Sequence, residues 1–376
     1  MSLTIVGRIK MEDLSLANFS NMVHDPLDRD AFYFIETVSS SSWKLWHLTW
    51  PDTLELIVDL TGQISVSSLG NIACIAWNPT SSAYHYGLKI NQPDGANHAH
   101  DRPVDINLST GTVSQATESM GGTEAEQIFS YVKDGELYFC WGGTDIPYAF
   151  GANSVVASKK AGVNSINWNT YSSVGSISVR GILCPLAPPS TFLILDGDWK
   201  TVDFDANSVA AHPTENPGIS IPYAVPINHF ADGNLRYFFA KPYGISTEKY
   251  LVKFNIVTGA TSYLLVATEG ASYPVGGFGW QSGQTFDLLA YAASDDSGIL
   301  HCGRLTHADS LSVANMDTIL VDENNLVTNR AKILHAFVTK PYAYVAHYYG
   351  ESGYAITKIK ASAFLDPTKS YSQIVG

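Results

Sequence analysis

The sequence predicts an all-β chain, a single β-propeller of seven four-stranded blades over residues 1–376, closed by pairing of N- and C-terminal strands. Three observations predict it. First, 376 residues at 45% hydrophobic, 12% aromatic and 15% charged are too apolar for disorder and too poor in charge for a long solvated helical array. Second, one unit recurs along the chain: an alternating apolar run, a turn of Gly, Ser, Asp or Pro, and a second alternating run, the signature of a β-hairpin. Third, no Pro-rich or charge-rich linker divides the chain, and a ring of blades needs none because each blade packs on the next.

The units fall in order at 32–48, 72–90, 137–157, 192–204, 237–254, 286–302 and 342–358. Phe32 to Glu36 with Trp43 to Leu48 is the clearest copy. The starts average about 52 residues apart, near the ~40–50 residues of a four-stranded blade. Helical spacing is confined to Met11–Val23 (Leu14, Leu16, Phe19, Met22) and to Thr123–Val132, where Thr123 and Glu126 have capping-box spacing. Both predict short helical decorations. An early strand at Leu3–Ile9, paired near Tyr371–Val375 in the final blade, would close the ring and bury both edges.

Several hairpins are followed by a Thr-Gly turn: Asp59-Leu-Thr-Gly-Gln-Ile64, Asn107-Leu-Ser-Thr-Gly-Thr-Val113 and Asn255-Ile-Val-Thr-Gly-Ala260. Glycine supplies the positive φ that a tight turn requires. This turn resembles the hairpin of kelch-like propeller repeats, and Ser294-Asp-Asp296-Ser-Gly298-Ile-Leu-His301 partly resembles the Asp-box of sialidase-like propellers. The box occurs once, and His301 stands where an aromatic residue is expected. The resemblance implies architecture and no particular active site, and the single arginines Arg8, Arg29, Arg102, Arg180, Arg236, Arg304 and Arg330 form no cluster in sequence for a substrate carboxylate.

A net charge of −13 disfavours nucleic acid, whose phosphates would meet a repelling field. No run approaches the ~18 apolar residues that span a bilayer. Arg8 and Lys10 precede no apolar stretch of signal type, so the expected location is a virion or the cytoplasm. Cys74, Cys140, Cys184 and Cys302, widely spaced beside apolar neighbours, read as buried reduced thiols. Motifs for zinc hydrolysis, serine hydrolysis at a GxSxG elbow, phosphate loops and dinucleotides are missing, so no catalytic residue is singled out.

No cofactor is expected beyond a divalent cation. Its candidate ligands are His98, His100 and Asp101, two imidazoles projecting to one side of an extended segment with carboxylates beside them from Asp94 to Asp105. Asp196, Asp198, Asp203 and Asp205 offer oxygens without an EF-hand pattern. For ligand binding the candidates are Trp50, Tyr84, Tyr86, Tyr348 and Tyr349, half-polar rings near turns that could stack on sugars or anchor a protein. The expected function is a non-enzymatic binding or assembly module, a structural or attachment component of a virion or other large complex, with other protein subunits and glycans as partners. The alternative is a glycan-binding or glycan-processing propeller enzyme, sialidase- or glycosidase-like.

Overall fold

The computed structural model of the chain describes residues 3–64, 68–93, 99–117, 123–145 and 156–168, with the strands and a few turn residues between 184 and 361. Among the described residues the strands form seven antiparallel sheets, I to VII in chain order. Sheet I takes Asn18–His24, Ala31–Ser39, Ser42–Thr49 and Thr53–Asp59. Sheet II takes Ser68–Asn78, Ala83–Pro93, Ala99–Asn107 and Val113–Gln115. Sheet III takes Thr123–Lys133, Glu136–Asp145, Val156–Lys160 and Asn167–Trp168. Sheets IV (184–211), V (219–267) and VI (277–320) repeat the plan, and V carries an extra strand, Phe230–Asp232, on Leu235–Pro242. Sheet VII joins the last three strands, Ile333–Val338, Tyr342–Tyr349 and Gly353–Ala361, to the first, Leu3–Lys10.

Six of the seven expected hairpins are the second and third strands of their sheets. The unit at 72–90 is the first and second of sheet II, because its third strand, Ala99–Asn107, carries His100, Asp101, Arg102 and Asp105 and hides its alternation. With that phase corrected, the second strands begin at 31, 83, 136, 191, 235, 285 and 342, a more even spacing than the hairpin units had.

Two expectations about local structure change. Of Met11–Val23 only Met11–Leu14 is helical, as one 3-10 turn, and Asn18–His24 is a strand. Left-handed Ser15 and a bulge between Ser20 and Val23 still bring Leu16, Phe19 and Met22 into one apolar cluster, so a turn and a bulge generate the three-residue spacing. Thr123–Lys133 is likewise a strand, with a bulge between Ala125 and Gln127. The first strand, Leu3–Lys10, pairs with Gly353–Ala361 from Leu3 opposite Ala361 to Lys10 opposite Ala355, with a register shift between Ile5 and Gly7. The expected partner at 371–375 lies outside the described residues.

The described core is a series of seams between consecutive sheets. Phe32, Phe34 and Leu48 of sheet I pack on Tyr344, Ala346 and Ile356 of sheet VII. On its other side, Ile35, Trp43 and Leu45 meet Tyr86, Leu88 and Ile90 of sheet II. Sheet II then meets Phe139 and Trp141 of sheet III through Cys74 and Ala76. A strand packed on both faces needs apolar residues on both, hence Phe32, Phe34 and Ile35 in a single strand, each fully buried. Each such side chain removed from water contributes about 1.5–3 kcal/mol.

Candidate functional site

In an antiparallel sheet of four consecutive strands, the turns from strand one to two and from three to four lie at the same edge. In sheet II those turns are Asn78 to Ala83 and Asn107 to Val113. Each is organised by its asparagine: Asn78 Oδ1 accepts the Thr80 N–H at 3.1 Å, and Asn107 Oδ1 accepts those of Ser109 and Thr110 at 2.9 and 3.2 Å. Gly111, at φ 69°, closes the second turn onto the Asn107 carbonyl at 2.8 Å. Sheet V repeats this turn around Asn255, Thr258 and Gly259, the last at φ 75°.

Strand alternation sorts the side chains at this edge. Trp77 and Tyr84, directly opposite each other, take one face of sheet II, with ring centroids 5.1 Å apart in an edge-on pair. Trp77 is 45% exposed. Asn78 and His85 take the other face, toward sheet III, where Asp105 also lies. His85 Nδ1 is 2.8 Å from Asp105 Oδ2, and its Nε2 is 3.0 Å from Ser81 Oγ and 3.4 Å from Asn78 Nδ2.

Lys159 of sheet III completes the group. Its ammonium binds Asp105 Oδ1 directly and donates to Ser114 Oγ at 3.1 Å. Burial lowers its pKa, against the opposing pull of the Asp105 carboxylate. The Gly162 N–H adds bonds of 3.2 and 3.0 Å to the two Asp105 oxygens. His85, Asp105 and Lys159 are all buried, so the charges are satisfied by one another across the sheet II–III seam. A cavity of about 290 Å³ opens against Ser81, His85, Asn107, Thr112 and Gly162. At its mouth Lys160 pairs with Glu136 at 2.9 Å, and Thr80 Oγ1 donates to the same carboxylate at 2.9 Å; these bonds hold Glu136 below the usual carboxylate range.

The matching edges of sheets I and VII hold two more polar groups. Asp25 bonds His47 at 2.9 Å, and Tyr33 stacks on His47 at 4.4 Å. Burial raises the Tyr33 phenol further above its ordinary range, with help from the Asp25 charge. Asp30 receives the Tyr344 hydroxyl and pairs with Lys358 at 3.2 Å. The Lys358 ammonium in turn lies 4.1, 5.2 and 5.6 Å from the ring centroids of Tyr342, Tyr344 and Trp50.

The expected site residues separate accordingly. Trp50 is half-buried against Lys358, Tyr344 and the backbone of Gly7, where an added Cβ would stand 3.1 Å from its ring. It packs there against these neighbours. Tyr86 is fully buried, and its hydroxyl donates to the Asn21 carbonyl across the sheet I–II seam, so it too is a core residue. Tyr84 stays half-buried beside Trp77 at the edge. Tyr348 and Tyr349 pair with Tyr354 and Gly353, and their side chains lie outside the described residues.

His98 falls outside the described residues. His100 and Asp101 belong to a strand, opposite Gln92 and Asn91, with their side chains undescribed. No three His, Cys, Asp or Glu side chains among the described residues come together as a metal site. Asp203 caps a turn by accepting the Ala206 N–H at 3.1 Å. Cys140 is buried and Cys74 half-buried, and desolvation pushes the Cys74 thiol up to about 12 and the Cys140 thiol well up; the side chains of Cys184 and Cys302 lie outside the described residues.

Sequence reasoning missed Trp77 and Lys159, and it missed the pairing of His85 with Asp105, which it had placed among the carboxylates beside the candidate cation. The available signal was polar residues on one face of an apolar strand: His85 and Lys89 alternate with Tyr84, Tyr86, Leu88 and Ile90.

No protein family and no curated protein matches the sequence. Among solved structures, the AfRom2 CNH domain superposes with a TM-score of 0.51 at 9% identity, over 98% of this chain and 100% of that one. One of two prolyl endopeptidases matches at a TM-score of 0.46 and 10% identity, over 97% of this chain and 53% of its own. A Synechocystis apocarotenoid oxygenase matches at 0.43 and 10%, over 80% and 74%. The likeness to the CNH domain is one of fold alone.

Proposed function

We propose that the seven sheets are the blades of one propeller, and that the chain is a binding or assembly module, a structural or attachment component of a virion or other large complex. The propeller reading is supported by four consecutive strands per sheet, by first strands of sheets I, II and III that touch in succession, and by a last sheet that incorporates the first strand and packs on sheet I. The Trp77–Tyr84 pair at the turn edge of sheet II, exposed at Trp77 and half-buried at Tyr84, carries the functional reading. Beside it the buried ionic groups are satisfied within the chain, whereas this large aromatic surface stays in water, the arrangement of an interface anchor.

The native complex tests it. Gentle purification, cross-linking and identification of neighbouring chains should find this protein fixed in a larger particle, with cross-links near residues 77–84. Recovery only as a free monomer would sink the reading. A second reading, glycan binding, is favoured by the cavity rich in Ser, Thr and Asn next to that aromatic pair. A glycan array with no signal above background removes it.

A further inference from the structure

The geometry points to a serine esterase site at the sheet II–III edge, with Ser81 as nucleophile, His85 as general base and Asp105 as the positioning residue. It extends the binding role proposed above and supplies the catalytic group that the sequence alone does not single out. The side chains form an unbroken chain: Ser81 Oγ to His85 Nε2 is 3.0 Å, and His85 Nδ1 to Asp105 Oδ2 is 2.8 Å. These are the separations required of a nucleophile bonded to a base that is itself oriented by an acceptor.

The tautomer follows from the acceptor. Asp105 already receives Lys159 and the Gly162 N–H, so it remains an acceptor toward His85. The imidazole proton therefore sits on Nδ1, and Nε2 presents a lone pair to the Ser81 hydroxyl. Burial of His85 and Asp105 fixes the ring, whereas Ser81 is exposed and lines the cavity. An oxyanion donor is at hand in Asn78. Its Oδ1 is held by the Thr80 N–H at 3.1 Å, and its Nδ2 lies 3.4 Å from His85 Nε2; that long contact is given up when the imidazole takes the Ser81 proton, which frees the amide N–H for the oxyanion.

The reaction is acyl transfer to water. Ser81 Oγ bonds the ester carbonyl carbon as its proton passes to His85 Nε2, and the oxyanion forms beside Asn78. Collapse breaks the carbon–alkoxy bond, and the departing alcohol takes the proton from His85, leaving an acyl ester on Ser81. Water then attacks, gives a proton to His85 and releases the acid, and that proton returns to Ser81. The wall formed by Ala161 and Gly162 is small, and Thr110, Thr112 and Asn107 are hydrogen-bonding groups. The substrate class is therefore a short-chain acyl ester of a polyhydroxylated alcohol, such as an O-acetylated sugar.

The test is labelling of the intact chain by a fluorophosphonate, followed by peptide mapping, together with p-nitrophenyl acetate hydrolysis. The expected result is one adduct, on Ser81, and turnover that falls about 100-fold or more in Ser81→Ala with an unchanged unfolding midpoint. His85→Gln should slow labelling of Ser81 by a similar factor. No adduct on Ser81, or equal hydrolysis by the wild type and Ser81→Ala, would overturn the proposal and leave the hydroxyl–imidazole–carboxylate chain a structural tie. Labelling does not depend on any partner. A protein found in a particle yet unlabelled loses only the esterase proposal, and a labelled free monomer loses only the assembly reading.

Discussion

Lys159 shows how one side chain can hold a seam. It is completely buried, reaches from sheet III to Asp105 of sheet II, and has its charge balanced there. Removing one partner of a buried pair leaves the other uncompensated, so Lys159→Met should cost about 3–5 kcal/mol despite its good apolar volume. The urea midpoint measures it, and a variant as stable as the wild type would show that the pair does not hold the seam. His24 and Asp25, neighbours in sequence, give the pH dependence. Burial lowers the His24 pKa, outweighing the Arg29 carbonyl and nearby carboxylates; for Asp25 burial acts upward, but the His47 and Leu27 bonds prevail and keep it low. The unfolded chain then takes up protons first. Stability from His24 is complete above its ordinary 6.5 and is lost as pH falls below it. The Asp25 contribution is present above its ordinary 3.8 and is lost as pH falls through its lowered value. The wild-type thermal midpoint should drop from about pH 7.5 to about pH 5, and His24→Gln should make that drop smaller.

At the scale of elements, alternation explains both what the sequence made legible and what it concealed. In Ala83–Pro93 one face reads Tyr84, Tyr86, Leu88, Ile90, the last three of which pack on sheet I, so the strand was plain. The other face reads His85, Gly87, Lys89, and its partners come from sequence positions as distant as Phe139 and Lys159, which no local pattern could link. At Gly87 sheet III comes close. A Cβ there would lie 2.6 Å from Phe139 Cδ1 and 3.0 Å from Ile128 Cδ1, both in a packed seam. Gly87→Ala should destabilise by about 1–3 kcal/mol through overpacking, although alanine suits a strand better than glycine. A paired Gly87→Ala, Phe139→Leu variant should recover part of that loss in the same denaturation measurement. No recovery would mean that the close approach is not what costs. The candidate aromatics divide on similar grounds: Tyr84 lies at the strand's start, near the turn and water, and Tyr86, two residues inward on the same face, is core.

The whole molecule depends on how its ends meet. Leu3–Lys10 forms the edge of sheet VII on Gly353–Ala361, bridging more than 340 residues of sequence. Its Arg8 Nε also donates to Thr357 Oγ1 at 3.1 Å, and Ile9 and Met11 enter the cluster shared by sheets VII and I. The first strand therefore fastens the last sheet to the rest. Without it, the backbone groups of Gly353–Ala361 that face the first strand lose their partners and become an open edge, a template for pairing with other chains. Deletion of residues 1–10 should lower the thermal midpoint and shift the protein to larger species in size-exclusion chromatography. A synthetic peptide of residues 1–10 should add to the vacant edge in trans and reverse both changes, since main-chain pairing supplies the affinity and the pocket for Ile9 the register. An Ile9→Asp peptide should fail to do so, because the register that satisfies the backbone would bury a carboxylate among Phe32, Phe34 and Ile356. If the truncated chain is as stable as the full one and elutes at the same size, pairing of the first strand with Gly353–Ala361 is not what holds the last sheet.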